Sequence, residues 1–509
     1  MRTVRVLGMC LVGTEAELVT VQTRFEAADR QRTEVLLTGL PDTVIREARN
    51  RLTAALDEER LHLPQGRLYV HLAPAGLRKG GEALDLPLAL GAAAATGHLD
   101  PRALAGTLFL GELGIDGRLR DVPGGLAAAE AARRAGVARI VGPPETAREA
   151  SCLPGTEALA ARTLAEVVRW VATREGLRAP APIELLVPSA GSLDALAAIR
   201  GQAAGKRALA VAAAGGHGLL FSGPPGTGKS LLARALVELV PAPSLEDRLE
   251  TTRVQSAAGM WRGGLAHARP FRAPHHTVSL AGLVGGGQPL APGEISLAHR
   301  GILFLDELPE FRREVLEGLR QPLETGRILL ARAGRRVELP ARFRLVAAMN
   351  PCPCGFRGHP TRPCRCSPLE VRRYRRRISG PLLDRIELRL EVPVPSLDAL
   401  ARGTDAGASS DDRALANQVL RAGDLRTARG QETENADLDA EALDRLVPLR
   451  PPMRSLLERT SARRALSARA VQSLRRVTRT LADLEGAADP DEVHLAEALA
   501  LRAPLFETD

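Results

Sequence analysis

The chain has 509 residues, a length that suits about three domains of ordinary size. Its 45% of hydrophobic residues is typical of a globular protein, and no apolar run reaches the roughly 18–20 residues that a membrane helix needs. We therefore expect no membrane partner and a cytoplasmic location. The formal net charge of +9 favours a polyanionic partner, of which nucleic acid is the first candidate.

The pattern of strand-like and helix-like segments predicts an α/β protein with three regions and one linker. Residues 1–172 mix strand patterns such as TEVLLTGL and GRLYVHLAP with amphipathic helical patterns, which predicts an α+β domain. Residues 173–188 contain three prolines and are expected to be a linker. Residues 189–395 alternate apolar strands (GLLFSG, GILFLDEL, FRLVAAMN) with helices, as in a parallel sheet. Helical periodicity dominates residues 396–509.

A phosphate-binding loop is the most specific motif. The sequence GPPGTGKS follows the strand pattern GLLF and precedes the helical pattern LLARALVELV. In that context backbone N–H groups face the phosphates of a nucleotide, the lysine reaches the terminal phosphates and the serine hydroxyl ligates Mg²⁺. The predicted ATP-binding residues are Gly223, Pro224, Pro225, Gly226, Thr227, Gly228, Lys229 and Ser230.

Two further strand patterns end in residues that suit hydrolysis. Asp306 follows an apolar strand and is expected to hold Mg²⁺ with Ser230, while Glu307 is placed to polarise the attacking water. Asn350 ends the pattern FRLVAAMN, where a residue that orients the water would lie; the alternative is an ordinary turn asparagine.

Two arginines complete the predicted catalytic set. Arg385 follows an apolar helical turn in ISGPLLDRIELRL, from which it could reach the γ-phosphate of a neighbouring subunit; the alternative is a solvated or capping charge. Arg469 begins the helix of LSARAVQSLRRVTRTL and resembles the second sensor arginine of AAA+ proteins. Arg475, Arg476 and Arg479 on the same helix are its rivals.

Three long segments resemble the ComM/YifB branch of the magnesium-chelatase-like AAA+ ATPases. They are RGQAAGKRALAVAAAGGHGLLFSGPPGTGKS, PFRAPHHTVSLAGLVGGGQPLAPGEISLAHRGILFLDELPEF and AMNPCPCGFRGHPTRPCRCSP, and the resemblance spans nearly the whole chain. It implies an N-terminal domain with the fold of the Lon proteolytic domain, an AAA+ core and a helical lid. It also implies a homo-hexameric ring that moves branched DNA, alongside recombination proteins, in natural transformation.

The Lon-like domain raises the question of proteolysis. A Lon-type site needs a serine nucleophile and a lysine base, but residues 1–150 contain no serine and only one lysine, Lys79. Ala127 stands where Lon carries its lysine. We therefore expect an inactive domain that serves as a scaffold or a DNA-contacting collar.

A basic hairpin is predicted in residues 326–344, GRILLARAGRRVELPARFR. Chelatase-like AAA+ proteins often project such a hairpin into the ring pore, where Arg332, Arg335 and Arg336 would contact DNA phosphates without reading sequence. On charge alone, a solvated hairpin is an equal alternative. The Gly- and Arg-rich residues 255–298 resemble a second pore insertion, in which the adjacent His275 and His276 are expected to be structural.

A cysteine cluster follows the predicted hairpin. Cys352, Cys354, Cys364 and Cys366 could form a tetrahedral Zn²⁺ site, with His359 as a substitute ligand; the alternative is four reduced cysteines. In the following EVRRYRRRISG, Arg372, Arg373 and Arg376 are predicted DNA contacts.

Two functions compete with a DNA helicase or translocase. One is the motor subunit of a chelatase, which remodels a protein partner without DNA. The other is a DNA-bound ATPase that separates no strands, which sequence alone does not distinguish from a helicase.

Overall fold

The computed structural model describes residues 3–29, 33–39, 42–74, 82–183, 192–287, 290–332, 335–396, 408–464 and 466–503. They form an N-terminal mixed α/β domain, a middle domain with a parallel sheet and a C-terminal helical domain. None of the helices in these ranges is long and apolar enough to cross a membrane.

The N-terminal domain is organised around a seven-stranded mixed sheet of order β3-β4-β2-β1-β5-β8-β9. The antiparallel β1–β2 pair forms its centre, and β1, β5, β8 and β9 run parallel. The strands are β1 (Val4–Val12), β2 (Glu15–Ala27), β3 (Glu34–Thr38), β4 (Gly66–Ala73), β5 (Thr107–Phe109), β6 (Glu112–Leu113), β7 (Leu119–Arg120), β8 (Arg139–Gly142) and β9 (Glu157–Ala160). The helices are α1 (Asp42–Glu58), α2 (Asp85–Ala95), α3 (Gly125–Arg134), α4 (Pro144–Ala150) and α5 (Leu164–Thr173).

The middle domain contains a five-stranded parallel sheet of order β11-β14-β17-β10-β18. Its strands are β10 (Leu219–Ser222), β11 (Phe271–Arg272), β14 (Ile302–Leu305), β17 (Arg344–Met349) and β18 (Leu388–Glu391). The predicted strands β10, β14 and β17 are confirmed; every residue in them is buried, because helices cover both faces of a parallel sheet.

The helices and ribbons of the middle domain are short. The helices are α6 (Asp194–Ala197), α7 (Ala203–Gly215), α8 (Lys229–Leu239), α9 (Leu245–Ala257), α10 (Leu280–Val284), α11 (Glu294–Leu297), α12 (Arg313–Gly318), α13 (Pro322–Thr325), α14 (Pro368–Arg375) and α15 (Gly380–Leu383). One ribbon joins β12 (Gly285–Gly286) to β13 (Ala291–Pro292), and the other joins β15 (Arg327–Arg332) to β16 (Arg335–Pro340).

The C-terminal domain packs on α7 of the middle domain and shares its apolar core. Its helices are α16 (Ser410–Ala428), α17 (Ala440–Leu446), α18 (Pro451–Arg464), α19 (Ala468–Glu485) and α20 (Glu492–Ala500). Polar contacts reinforce this packing: Lys206 Nζ lies 2.6 Å from Asp412 Oδ1, and the buried His217 lies 2.7 Å from the Thr480 hydroxyl on α19.

Candidate active site and polyanion groove

The phosphate loop connects the carboxyl end of β10 to the first turn of α8. Gly226 and Gly228 have φ angles of 80° and 89°, a left-handed backbone that glycine adopts without steric cost. At Gly223 the reason for glycine is space, because a Cβ there would lie 2.3 Å from the Val392 carbonyl oxygen. The loop conformation therefore depends on glycine at each of these positions.

Lys229 lies inside the loop. Its Nζ donates to the carbonyl oxygens of Gly223 at 2.6 Å and Pro224 at 2.9 Å, and to Asn350 Oδ1 at 3.2 Å. Burial lowers the pKa of this ammonium, and the charges of Asp306 and Glu307 oppose that shift. The side chain is thus a buried cation held at the predicted phosphate position.

The predicted Mg²⁺ ligands lie together. Ser230 Oγ donates to Asp306 Oδ2 at 2.7 Å, so one cation could bridge both oxygens in place of this hydrogen bond. The residues present therefore fit ATP with Mg²⁺, in which the metal would neutralise charge on the phosphates.

Asn350 lies between the phosphate loop and Asp306, because β17 is between β10 and β14 in the sheet. The three strands are parallel, so their carboxyl ends bring the phosphate loop, Asp306 and Asn350 to one edge. The contact with Lys229 supports its prediction as a polar sensor.

Glu307 carries a contact that sequence reasoning missed. His276 Nδ1 lies 3.6 Å from Glu307 Oε2, and the His276 and Phe311 rings form a T-shaped pair with centroids 6.4 Å apart. We predicted a structural role for His276, and its spacing from Glu307 in sequence gave no sign of this contact, which forms across strands.

Arg385 lies at the amino ends of the parallel strands, whereas the phosphate loop lies at their carboxyl ends. It precedes β18, and its carbonyl oxygen is 3.6 Å from the Cβ position of Gly218, at the amino end of β10. Gly218 and Gly223 are separated by about 16 Å of extended strand. The backbone of Arg385 therefore lies at the other end of β10 from the phosphate loop of its own subunit.

Arg469 shares an acidic partner with Arg385. Glu324 accepts from Arg385 Nη2 at 2.9 Å through Oε2 and from Arg469 Nη2 at 2.9 Å through Oε1. Arg469 thus lies beside Arg385 rather than beside the phosphate loop of its own chain. Its three rivals are engaged within the C-terminal domain: Arg475 donates to Val447 O, Arg476 to Leu438 O and Arg479 to Ala487 O.

The four predicted zinc ligands form a cluster. The Sγ atoms of Cys352, Cys354, Cys364 and Cys366 all lie within 4.8 Å of one another, and three of the separations are 3.4–3.6 Å. A tetrahedral zinc site with Zn–S bonds of about 2.3 Å needs sulfur separations of about 3.8 Å, so the set fits. Backbone N–H groups of Phe356 and Arg365 lower the pKa of Cys354 to about 6, while burial raises that of Cys352 to about 12.

His359 is not part of this cluster. Its Nδ1 accepts from the backbone N–H groups of Thr361 at 3.2 Å and Arg362 at 3.1 Å, so it stabilises the turn inside the loop. This hydrogen bonding and the geometry of the four thiols favour cysteine as the ligand at all four positions.

A basic groove of about 620 Å³ lies between α12 and α14. It is lined by Glu310, Phe311, Arg312, Arg313, Leu369, Arg372, Arg373, Arg376 and Arg377. Arg372 and Arg373 of α14, and Arg376 directly after it, therefore line the same groove as Arg312 and Arg313, which lie six and seven positions after Asp306. Arg377 pairs with Glu310 at 2.8 Å, whereas among the described residues Arg312, Arg313, Arg373 and Arg376 have no ion pair.

The basic hairpin exists as β15 and β16, in register from Arg327↔Pro340 to Arg332↔Arg335. Arg336 is exposed, whereas the side chains of Arg332 and Arg335 and residues 333–334 lie outside the described set. The base of the hairpin packs against the N-terminal domain, since a Cβ at Gly13 would lie 2.8 Å from both Val337 and Leu339.

The position at which Lon carries its lysine lies in the core of the N-terminal domain. Ala127 is 1% exposed on α3 and packs in the core. Glu149 caps the amino end of α3, where its Oε1 accepts a hydrogen bond from Leu126 N at 2.9 Å. Lys79 lies outside the described residues.

Comparisons with known proteins agree with this architecture. Three family models match: magnesium chelatase subunit ChlI at residues 195–400, subunit ChlI of Mg-chelatase at 26–146, and the subunit ChlI C-terminal region at 409–502. The chain is 40% identical over 505 residues to the competence protein ComM of Haemophilus influenzae, covering 97% of this chain and 96% of that protein.

The chain belongs to the ComM/YifB family of magnesium-chelatase-like AAA+ proteins. It is also 40% identical over 474 residues to the uncharacterized protein YifB of Salmonella typhimurium, with 92% and 91% coverage. The magnesium-chelatase 38 kDa subunit of Cereibacter sphaeroides is 30% identical over 172 residues, or 30% of this chain and 52% of that protein. Family membership makes the chain an AAA+ ATPase that uses ATP and Mg²⁺.

Proposed function

We propose that this ATPase is a cytoplasmic DNA helicase or translocase that drives branch migration of recombination intermediates. The observation that carries the proposal is the arginine groove, because it opens beside the segment that follows Asp306 and Glu307. A polyanion bound there contacts residues 310–313, which begin three positions after Glu307.

The active enzyme is a homo-hexamer with ATP sites shared between neighbouring subunits. Arg385 and Arg469 support this, because both lie at the sheet edge away from the phosphate loop of their own chain. In a head-to-tail ring, that edge of one subunit faces the phosphate loop of the next. Both arginines then neutralise charge on the transferred phosphoryl group, a role in which a single arginine is worth about 10³–10⁵ in rate.

DNA is held by its phosphates. Arg372, Arg373 and Arg376 line the groove, and Arg332, Arg335 and Arg336 lie at or beside the tip of the hairpin. Guanidinium groups contact phosphate oxygens without reading base edges, which suits a motor that moves along any sequence. The N-terminal domain supports the base of the hairpin through Gly13, and we assign it a scaffold role.

The cysteine cluster holds a structural Zn²⁺. The cluster lies between β17, which precedes Asn350, and α14. The metal therefore fixes the orientation of α14, which carries Arg372 and Arg373 of the groove. A four-thiolate site with no open position is structural rather than catalytic.

The biological setting is the recombination step of natural transformation, with recombination proteins as further partners. This part of the proposal rests on the similarity to a relative that is named a competence protein.

Movement of a labelled three-way or four-way junction tests the function. Wild-type protein with ATP should move the junction, whereas Lys229→Ala and Glu307→Gln should not. Equal behaviour of all three proteins would contradict the proposal. A chelatase-type motor would hydrolyse ATP and bind no DNA, and a non-separating remodeller would show DNA-stimulated ATPase without junction movement.

A further inference from the structure

Glu324 joins the two arginines that complete the shared ATP site proposed above. It lies on the short helix α13, just before the hairpin of β15 and β16. Its Oε2 accepts from Arg385 Nη2 and its Oε1 accepts from Arg469 Nη2, each at 2.9 Å. Arg385 belongs to the middle domain and Arg469 to the C-terminal domain, so one carboxylate connects the two domains at this face of the subunit.

The carboxylate holds two like charges side by side. Without Glu324 the positive charges of Arg385 and Arg469 would repel each other at this distance. Hydrogen bonds from Arg469 and Arg385 lower the pKa of Glu324, so its carboxyl group stays ionised at neutral pH. Two positive charges and one negative charge leave the group net positive, and it can still attract a phosphate.

The two arginines are held to different degrees. The Arg385 side chain is 9% exposed, and its Nη1 also donates to Pro381 O at 2.7 Å. Arg469 is 43% exposed, and Glu324 is its one ion-pair partner among the residues that the structure describes. A guanidinium group has five N–H donors, so both arginines keep donors for a phosphate after contacting Glu324. Arg385 is thus the fixed member of the pair, and Arg469 depends on Glu324 for its position.

We propose that Glu324 is a positioning residue that holds Arg469 beside Arg385, so that both meet the transferred phosphoryl group of the neighbouring subunit. The inference rests on the proposed function, because it takes the ATP sites to be shared between subunits. A pair of arginines ordered before the reaction stabilises the transition state without a further loss of side-chain freedom. The half-exposed Glu324 adds little to the stability of the fold, so the residue can be replaced without unfolding the protein.

Steady-state ATP hydrolysis by single variants, with ring assembly measured by light scattering on the same samples, is the first part of the test. Glu324→Gln keeps the size of the side chain and removes its charge. It should lower kcat by about tenfold or more, with a much smaller change in the KM for ATP, because the arginines act in the transition state. Glu157→Gln is the matched control and should keep the wild-type kcat. Glu157 is also half-exposed and accepts from an arginine, Arg139, at 2.9 Å, but it lies in the N-terminal domain.

Mixing experiments then identify which side of the shared site Glu324→Gln damages. Glu324→Gln keeps its phosphate loop and Lys229→Ala keeps both arginines, so an equal mixture of the two should hydrolyse ATP faster than either variant alone. Glu324→Gln and Arg385→Ala are damaged on the same side. Their mixture should give only the mean of the two separate rates.

Four results would overturn the inference: a wild-type kcat in Glu324→Gln, a fall in kcat that lost ring assembly accounts for, a gain in the mixture with Arg385→Ala, or no gain in the mixture with Lys229→Ala. The mixture of Arg385→Ala with Lys229→Ala separates this failure from that of the proposed function. If those two variants form rings and do not restore each other, the sharing of ATP sites is refuted, and the role of Glu324 with it.

Discussion

Gly355 of the cysteine loop lies directly against Pro225 of the phosphate loop. A Cβ at Gly355 would be 2.8 Å from both Cδ and Cγ of Pro225 and 3.9 Å from Asn350 Cγ. The loop that contains the four cysteines thus touches the nucleotide site at two points. A change in the loop is transmitted to the phosphate loop by direct contact.

We expect Gly355→Ala to lower kcat for ATP hydrolysis by about tenfold, because the added methyl group displaces Pro225. Gly358→Ala is the matched control: Gly358 has a similar φ of 77°, but a Cβ there would have no atom within 4 Å. It therefore carries the backbone strain of about 1 kcal/mol without the contact. Equal rates for the two variants would contradict the importance of the Gly355–Pro225 contact.

Zinc content is the second prediction. Wild-type protein should contain about one zinc per chain by elemental analysis, and the double variant Cys364→Ser, Cys366→Ser should contain almost none. Cys152→Ala serves as the control, since Cys152 is buried in the N-terminal domain and lies outside the cluster. Full zinc content in the double variant, or none in the wild type, would refute the site.

The third prediction concerns His217, which is buried at the contact with the C-terminal domain. Burial lowers the pKa of His217 from 6.5 to about 3. Between these values the unfolded chain binds a proton that the folded chain does not, so stability falls as pH decreases through this window. The loss is up to about 1.4 kcal/mol per pH unit.

Thermal unfolding midpoints at pH 7 and pH 5 measure this effect. The drop in Tm should be smaller for His217→Gln, which stays neutral, than for wild type. His98→Gln, at an exposed histidine, should behave as wild type. Identical pH dependence in His217→Gln and wild type would show that another group controls acid unfolding.

The fourth prediction is the salt dependence of DNA binding. If Arg373 contacts one phosphate, Arg373→Ala should weaken binding similarly for unrelated DNA sequences. It should also reduce the slope of log affinity against log salt by about one. Arg118→Ala removes an exposed arginine of the N-terminal domain, which lies 3.7 Å from Asp116, and should leave the slope unchanged. A slope that stays the same in Arg373→Ala would remove Arg373 from the DNA interface.

Much of the ATP site could be predicted from sequence because each motif directly follows its own apolar strand. Lys229, Asp306 and Asn350 meet because β10, β17 and β14 are parallel neighbours, a relationship that short buried strands already indicate. The cysteine cluster could also be predicted from the sequence, since its four residues lie within 15 positions of one another.

Contacts between distant segments could not be predicted in this way. His276 follows a strand of only two residues, which is too short to produce an apolar pattern. The sequence therefore did not indicate that His276 lies beside Glu307. Arg469 could be assigned to a helix start, but its contact with Glu324 depends on how the C-terminal domain packs. The hairpin of β1 and β2 did have a signal, because ELVTVQTRF alternates apolar and polar residues, but we did not predict a strand there.

In the proposed ring, ATP sites shared between subunits drive the movement of DNA, and mixing two inactive variants tests this sharing. Arg385→Ala keeps an intact phosphate loop, and Lys229→Ala keeps an intact Arg385. Each variant alone should be inactive in ATP hydrolysis and in movement of a labelled four-way junction. In an equal, random mixture, roughly a quarter of the interfaces combine one intact phosphate loop with one intact arginine. We predict that the mixture regains roughly a quarter of the wild-type ATPase rate and measurable junction movement. A mixture as inactive as its components, with rings still assembled, would show that the ATP sites are not shared between subunits.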